Sequence, residues 1–150
     1  MTFLQAIANY MCAHSGGTRY TDVRGAERIT PQLELARTCF VHEAPADNRR
    51  PMVVLKWGPQ DDALPKDDPR ALQTVTFVVY SNDWFDNDAI VAEITEIFDR
   101  AGRFEAPSAA EPSYLARMES APKLQPEGRE EETQRCVALL NVRFQFVTTQ

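Results

Sequence analysis

The clearest pattern in the chain is an alternation near its C-terminus. From Cys136 to Val147 the residues read Cys-Val-Ala-Leu-Leu-Asn-Val-Arg-Phe-Gln-Phe-Val. Side chains alternate across a strand, so Cys136, Ala138, Leu140, Val142, Phe144 and Phe146 share one face. The other face begins apolar with Val137 and Leu139, then carries Asn141, Arg143 and Gln145. The pattern predicts a long strand lying inside a sheet built by earlier segments, so that the fold closes late, as one domain over residues 1–150.

Earlier segments supply the rest of that sheet and two helices. Phe3, Leu4, Ile7, Ala8 and Met11 recur at helical spacing and predict a helix to about His14, with Thr2 as a cap and Gly16-Gly17 as the stop. Residues 18–31 carry a weak, polar signal and read as loop or irregular extended chain. Leu35–Glu43 and Pro51–Trp57 read as strands, separated by the Ala44-Pro45-Ala46-Asp47-Asn48 turn cluster. Leu72–Tyr80 reads as the strongest internal strand, stopped by Ser81-Asn82-Asp83. A second helix is expected from Trp84 or Asn87 to Ala101. Its stripe is Ile90, Val91, Ile94, Ile97, Phe98 and Ala101, with Glu93, Glu96, Asp99 and Arg100 toward water and Gly102 as the stop.

Three stretches lack periodicity and are read as loops. Gly58–Pro69 holds three prolines and four aspartates, which places it outside the core. It is long for a hairpin connection, and long loops are often functional. Arg103–Ser113 reads as loop before a short strand at Tyr114–Ser120, with Tyr114, Ala116 and Met118 inward. Lys123–Thr133, with Glu130-Glu131-Glu132, reads as a second long exposed loop. Segregated helices and hairpin-like strand pairs then give an α+β fold: a single mixed, largely antiparallel β-sheet with two α-helices packed on one face.

Composition narrows the function classes. The chain has 150 residues and is 43% hydrophobic, enough for a real core. Its net charge of −6 disfavours a simple duplex-DNA binder. No apolar run reaches about 18 residues, so no transmembrane helix is expected. The N-terminus has no basic stretch, so no secretory signal is expected either. Cys12, Cys39 and Cys136 lie far apart without a CxxC spacing, which argues against a disulfide framework or a zinc site. Each reads as a small buried apolar residue in a reducing compartment.

Candidate chemistry is sparse. Asp83, Asp86 and Asp88 resemble an acidic metal loop, but no glycine lies between Asp83 and Asp88 and a helix begins there. Capping and complementing the helix dipole account for them. His14 and His42 have no ligand-spaced partners, and two histidines cannot make a three-histidine site. Ser15-Gly16-Gly17-Thr18 lacks a Walker lysine and a preceding strand. No catalytic, cofactor or metal site is therefore assigned. The charged loop residues Arg49, Arg50, Asp61, Asp62, Lys66, Asp67, Asp68 and Arg129, with Arg143 on the last strand, are the candidate subunit or partner contacts. Isolated, such charges contribute little; in a symmetric ring each contact recurs at every interface.

The order of elements and several local patterns resemble the tail-terminator (minor capsid or tail-completion) proteins of long-tailed bacteriophages. The features are the opening Phe3-Leu4-Gln5-Ala6-Ile7-Ala8-Asn9-Tyr10 helix and the Glu43-Ala44-Pro45-Ala46-Asp47 turn before Met52–Trp57. With them go the Val75–Tyr80 strand feeding the Ala89–Ala101 helix, and the final Asn141-Val142-Arg143-Phe144-Gln145-Phe146. The resemblance spans nearly the whole chain through order and pattern, not a single motif. It implies a non-enzymatic virion subunit that forms a ring, a hexamer in the family. That ring caps the tail tube, ends its polymerisation and meets head-completion proteins, while DNA passes through the lumen without specific binding. Surplus acidity would keep such a conduit non-sticky. The competing readings are a head–tail connector, a general protein-binding adaptor, or a small enzyme or ligand-binding module using His42, Asp83 or Asp86.

Overall fold

A computed structural model of the protein describes residues 3–45, 51–58, 71–106, 113–131 and 133–149. Among the described residues two helices, α1 (Phe3–Ala13) and α2 (Trp84–Ala101), accompany nine strands. These are β1 (Arg19–Thr21), β2 (Glu27–Ile29), β3 (Cys39–Val41), β4 (Met52–Trp57), β5 (Ala71–Ser81), β6 (Arg103–Ala106), β7 (Ser113–Met118), β8 (Lys123–Arg129) and β9 (Cys136–Thr149). β1 and β2 form a separate hairpin; the other seven form one sheet in the order β3-β4-β5-β9-β7-β6, with β8 also on β9. Among these described strands only the β3–β4 pairing is parallel. The fold is α+β, with a mostly antiparallel, curled sheet.

The long last strand is the centre of that sheet. β9 pairs with β5 over eleven positions, from Ala71↔Phe146 to Ser81↔Cys136. Its other edge takes β7 against residues 144–149 and β8 against residues 136–141. The core face runs through Ala138, Leu140, Val142 and Phe144, all buried, as the alternation predicts. Opposite partners across the ladder, Val75, Phe77 and Val79, point the same way. Both helices cover this face: Leu4, Ile7 and Met11 of α1 and Ile90, Ile94 and Phe98 of α2 join one core with it. Aromatic rings close the far end, with Phe3 stacked on Phe146 at 4.1 Å and Phe98 edge-on to Phe144 at 5.0 Å.

Several expectations need correction. Lys123–Thr133 is not a loop throughout, because Lys123–Arg129 is strand β8. Its Lys-Leu-Gln-Pro-Glu-Gly-Arg sequence has little strand propensity. The unpaired edge of β9 supplies the hydrogen bonds, and a bulge between Pro126 and Gly128, with Gly128 at φ +98°, absorbs the misfit. Residues 18–31 are not irregular either, since they hold the β1–β2 hairpin. Its turn is organised by Asp22, whose Oδ1 accepts from Arg24 N and Ala26 N, each at 2.9 Å, while Oδ2 pairs with Arg28 Nε at 2.7 Å.

The Leu35–Glu43 strand shrinks to Cys39–Val41. Residues 34–38 form a compact turn in which Glu34 O accepts from Arg37, Thr38 and Cys39 N, and Thr38 Oγ1 accepts from Glu34 N at 2.8 Å. Side-chain hydroxyls that satisfy the local backbone compete with extended structure in this way. β3 runs parallel to β4, so the two are not a hairpin. The Arg103–Ser113 stretch begins with strand β6. Finally, Glu93 does not face water: it is buried at 5% exposure.

Candidate functional site

The helix-free face of the sheet divides into two halves of different character. One half is polar and largely paired within the chain, Arg143 through an ion pair rather than a hydrogen bond from its Nε. Asn141 Oδ1 accepts from Thr76 Oγ1 at 2.6 Å, and Gln145 Oε1 accepts from Arg117 Nε at 2.8 Å. Arg143 Nε lies 3.1 Å from Glu119 Oε2, and Glu119 N donates to Arg143 O at 2.8 Å. That last pair sits where β7 ends and β8 has not begun, so Glu119–Pro122 stand opposite Val142 and Arg143. The Asn141–Arg143–Gln145 face therefore has partners inside the chain already.

The other half is more apolar, with Tyr80, Val137 and Leu139 half-buried and Val78 buried. Val78 and Tyr80 on β5 oppose Leu139 and Val137 on β9. Together with Thr76 they floor a trough of about 510 Å³, walled by Lys56 and Trp57 of β4 on one side and residues 127–130 on the other. Strands β4 and β8 are separated by β5 and β9 in the sheet, so the curl brings their ends around a common concavity. Trp57 is 47% exposed. An apolar floor with a charged rim is the anatomy of a protein-binding surface.

The rim on the β8 side is held firmly. Arg129 Nη1 donates to Gln134 O at 2.7 Å. Arg135 is buried, its guanidinium 5.0 Å above the Tyr80 ring, and its Nη2 lies 3.4 Å from Glu130 Oε1. The Thr133 hydroxyl, donating to Glu130, holds that carboxyl below its ordinary value, and Arg135 acts in the same direction. These contacts order the turn from Arg129 to Arg135 that forms the wall.

A second concavity of about 480 Å³ lies between the end of α1 and α2. Its polar groups are committed to the fold. Glu93 Oε1 accepts from Ser15 Oγ at 2.8 Å, Gly16 N at 3.1 Å and Gly17 N at 2.8 Å, and Oε2 accepts from Thr30 Oγ1 at 3.3 Å. His14 Nδ1 contacts Tyr10 O at 2.9 Å, and Glu96 pairs with Arg100. Nearby, Asp83 caps α2 by accepting from Asp86 N at 2.8 Å. Asp86 is buried, which raises its carboxyl, and Tyr20 donates to it. Burial together with the Asp86 and Asp83 charges pushes Tyr20 up to about 12. Asp88 and His42 are exposed. Among the described residues no three His, Cys, Asp or Glu side chains group as a metal site.

No protein-family model matches the chain, and no curated protein matches it.

Of the sequence-derived contact residues, Arg129 lies on the trough wall and Arg143 in the polar half. Arg129 pairs with Cys136 of β9, seven positions from Arg143 on the same strand and roughly 23 Å along it, so the two do not form one cluster. Arg49, Arg50, Asp61, Asp62, Lys66, Asp67 and Asp68 lie outside the described residues. Sequence reasoning missed Lys56, Trp57, Tyr80 and Glu127. The available signal was the apolar start of the second face, Val137 and Leu139, which had no helix left to cover it.

Proposed function

We propose that this chain is a structural assembly subunit of the tail-terminator type: a ring-forming virion protein that caps a tail tube and joins it to head-completion proteins. The observation that carries this reading is the trough. It offers apolar floor residues Val78, Tyr80, Val137 and Leu139 under a charged rim, on the face of the sheet that neither helix covers. The occupant is a second copy of the chain. The rim carries both signs, Lys56 and Arg129 with Glu127 and Glu130, and so offers ionic contacts to charged residues of a neighbouring copy. A heterologous contact of this kind generates a ring when its rotation closes. The element order supports the same family-level reading. Membrane association is no part of it; among the described residues no helix is long and apolar enough to cross a bilayer.

The test is binding to purified tail tubes, followed by sedimentation and negative-stain imaging. The proposed role predicts density at one end of each tube and a fixed tube length when the protein is present during polymerisation. Binding to portal complexes with none to tubes would place the protein in the neck instead. Binding to neither would refute the assembly role.

A further inference from the structure

Two cysteines that are far apart in sequence meet in the fold. Cys12 lies in the last turn of α1 and is partly exposed; Cys39 opens β3 and is fully buried. α1 packs directly on β3. Both side chains belong to the core cluster where these elements meet, Cys39 within it and Cys12 packed against it, close enough that each thiol perturbs the other. Cys136 stands apart, on β9 opposite Ser81 and two strands removed from β4, the neighbour of β3. All three are free thiols.

We propose that Cys12 and Cys39 are a modification site: a dithiol that small disulfide oxidants convert reversibly to an intramolecular disulfide. The chemistry divides the roles. Cys12 is the less buried of the two residues. The neighbouring Cys39 lowers its thiol, which favours the attacking thiolate. Cys39 is shielded and its thiol is raised, first by the neighbouring Cys12 and then by burial, so it stays protonated until needed. In the first step the Cys12 thiolate attacks one sulfur of a disulfide RSSR, forming a mixed disulfide and expelling RS⁻. In the second, the RS⁻ released in the first step takes the Cys39 proton, and the Cys39 thiolate attacks the Cys12 sulfur and expels the second RS⁻, which is protonated by solvent. The net reaction oxidises two protein thiols to one disulfide and reduces RSSR to two RSH. The bond would tie the end of α1 to the start of β3. It would also close a loop containing the β1–β2 hairpin and the Ser15–Gly17 turn held by Glu93.

The full chain is treated with glutathione disulfide at mildly alkaline pH, alkylated, and mapped by mass spectrometry. The expected product has lost two hydrogens, links the Cys12 and Cys39 peptides, and leaves Cys136 alkylated. Its urea midpoint is raised, and dithiothreitol restores the starting mass. Cys39→Ser, or Cys39→Ala if the serine variant folds poorly, should stop at a stable glutathione adduct on Cys12. A wild-type protein that also stops at that adduct would overturn the proposal, because the two sulfurs then cannot meet. So would a link through Cys136, or no reaction at Cys12.

Discussion

Glu93 Oε1 accepts a hydrogen bond from Ser15 Oγ at 2.8 Å across 78 residues of sequence. The same oxygen takes Gly16 N and Gly17 N, and Ser15 Oγ in turn accepts from Leu33 N at 2.9 Å. One buried carboxylate on α2 thus fixes the exit of α1 and the entry to the strand segment after the hairpin. Glu93→Ala would orphan these donors and should lower stability by about 2–4 kcal/mol, moderated because the adjoining cavity admits water. Glu93→Gln keeps an acceptor and should lose roughly half as much. Urea unfolding of both variants checks the order; an alanine variant as stable as wild type would show that the turn holds without Glu93.

The same turn makes a sharp prediction for glycine. Gly17 has φ +81°, and a Cβ there would stand 2.7 Å from the Thr30 carbonyl oxygen, a backbone atom that cannot swing away. Gly25 has a similar φ of +80° but open space around it. Gly25→Ala should cost about 1 kcal/mol, the left-handed strain alone. Gly17→Ala should cost clearly more, because it adds the clash. Equal losses in thermal denaturation would contradict the close approach.

Two aspartates should give opposite signs in a pH series. Backbone donation from Ala26, with Arg24 and Arg28, holds Asp22 below the ordinary carboxylate value. Its stabilisation is present at neutral pH and is lost as pH falls through the folded-state value. Burial raises Asp86, so its ionised form is a cost at neutral pH that disappears in acid. Asp22→Asn should therefore lower neutral stability and flatten the acid limb below about pH 4. Asp86→Asn retains an acceptor for Tyr20, and should gain stability at pH 7 and converge with wild type in acid. Stability curves from urea unfolding across pH measure both.

How much of this was legible in sequence follows from where each pattern comes from. β5, β9 and α2 have one apolar face against a common core, and their periodicity announces it. β8 has no such face: it is a strand because β9 offers it an edge, and that edge is a property of the sheet. The β1–β2 hairpin is almost wholly exposed, so burial leaves no mark on its residues; Asp22 and Gly25 carry the turn. Glu93 flanks the apolar stripe of α2 and reads as a solvent-facing charge, because its partners come from residues 15–17 and 30. The trough was half visible, in Val137 and Leu139. Cys12 and Cys39 share no motif, and only the packing of α1 on β3 joins them.

The Arg143–Glu119 pair changes what charge reversal at Arg143 reports. Both side chains are about a third exposed, so the pair contributes of order 1 kcal/mol or less. Arg143→Glu places two carboxylates together beside the β7–β8 break and should destabilise the fold modestly. The swap Arg143→Glu with Glu119→Arg should restore stability. A swapped protein that folds normally and forms normal rings would place Arg143 outside the subunit interface; one that folds and fails to assemble would place it inside.

The central claim is ring formation, and light scattering of the purified chain, read beside negative-stain images, tests it most directly. The account predicts a discrete multiple of the 17.0 kDa chain, with closed rings in the images, and dissociation on Lys56→Glu, at the exposed end of β4, with the fold intact. A strict 17.0 kDa monomer, both alone and with tail tubes present, would contradict it.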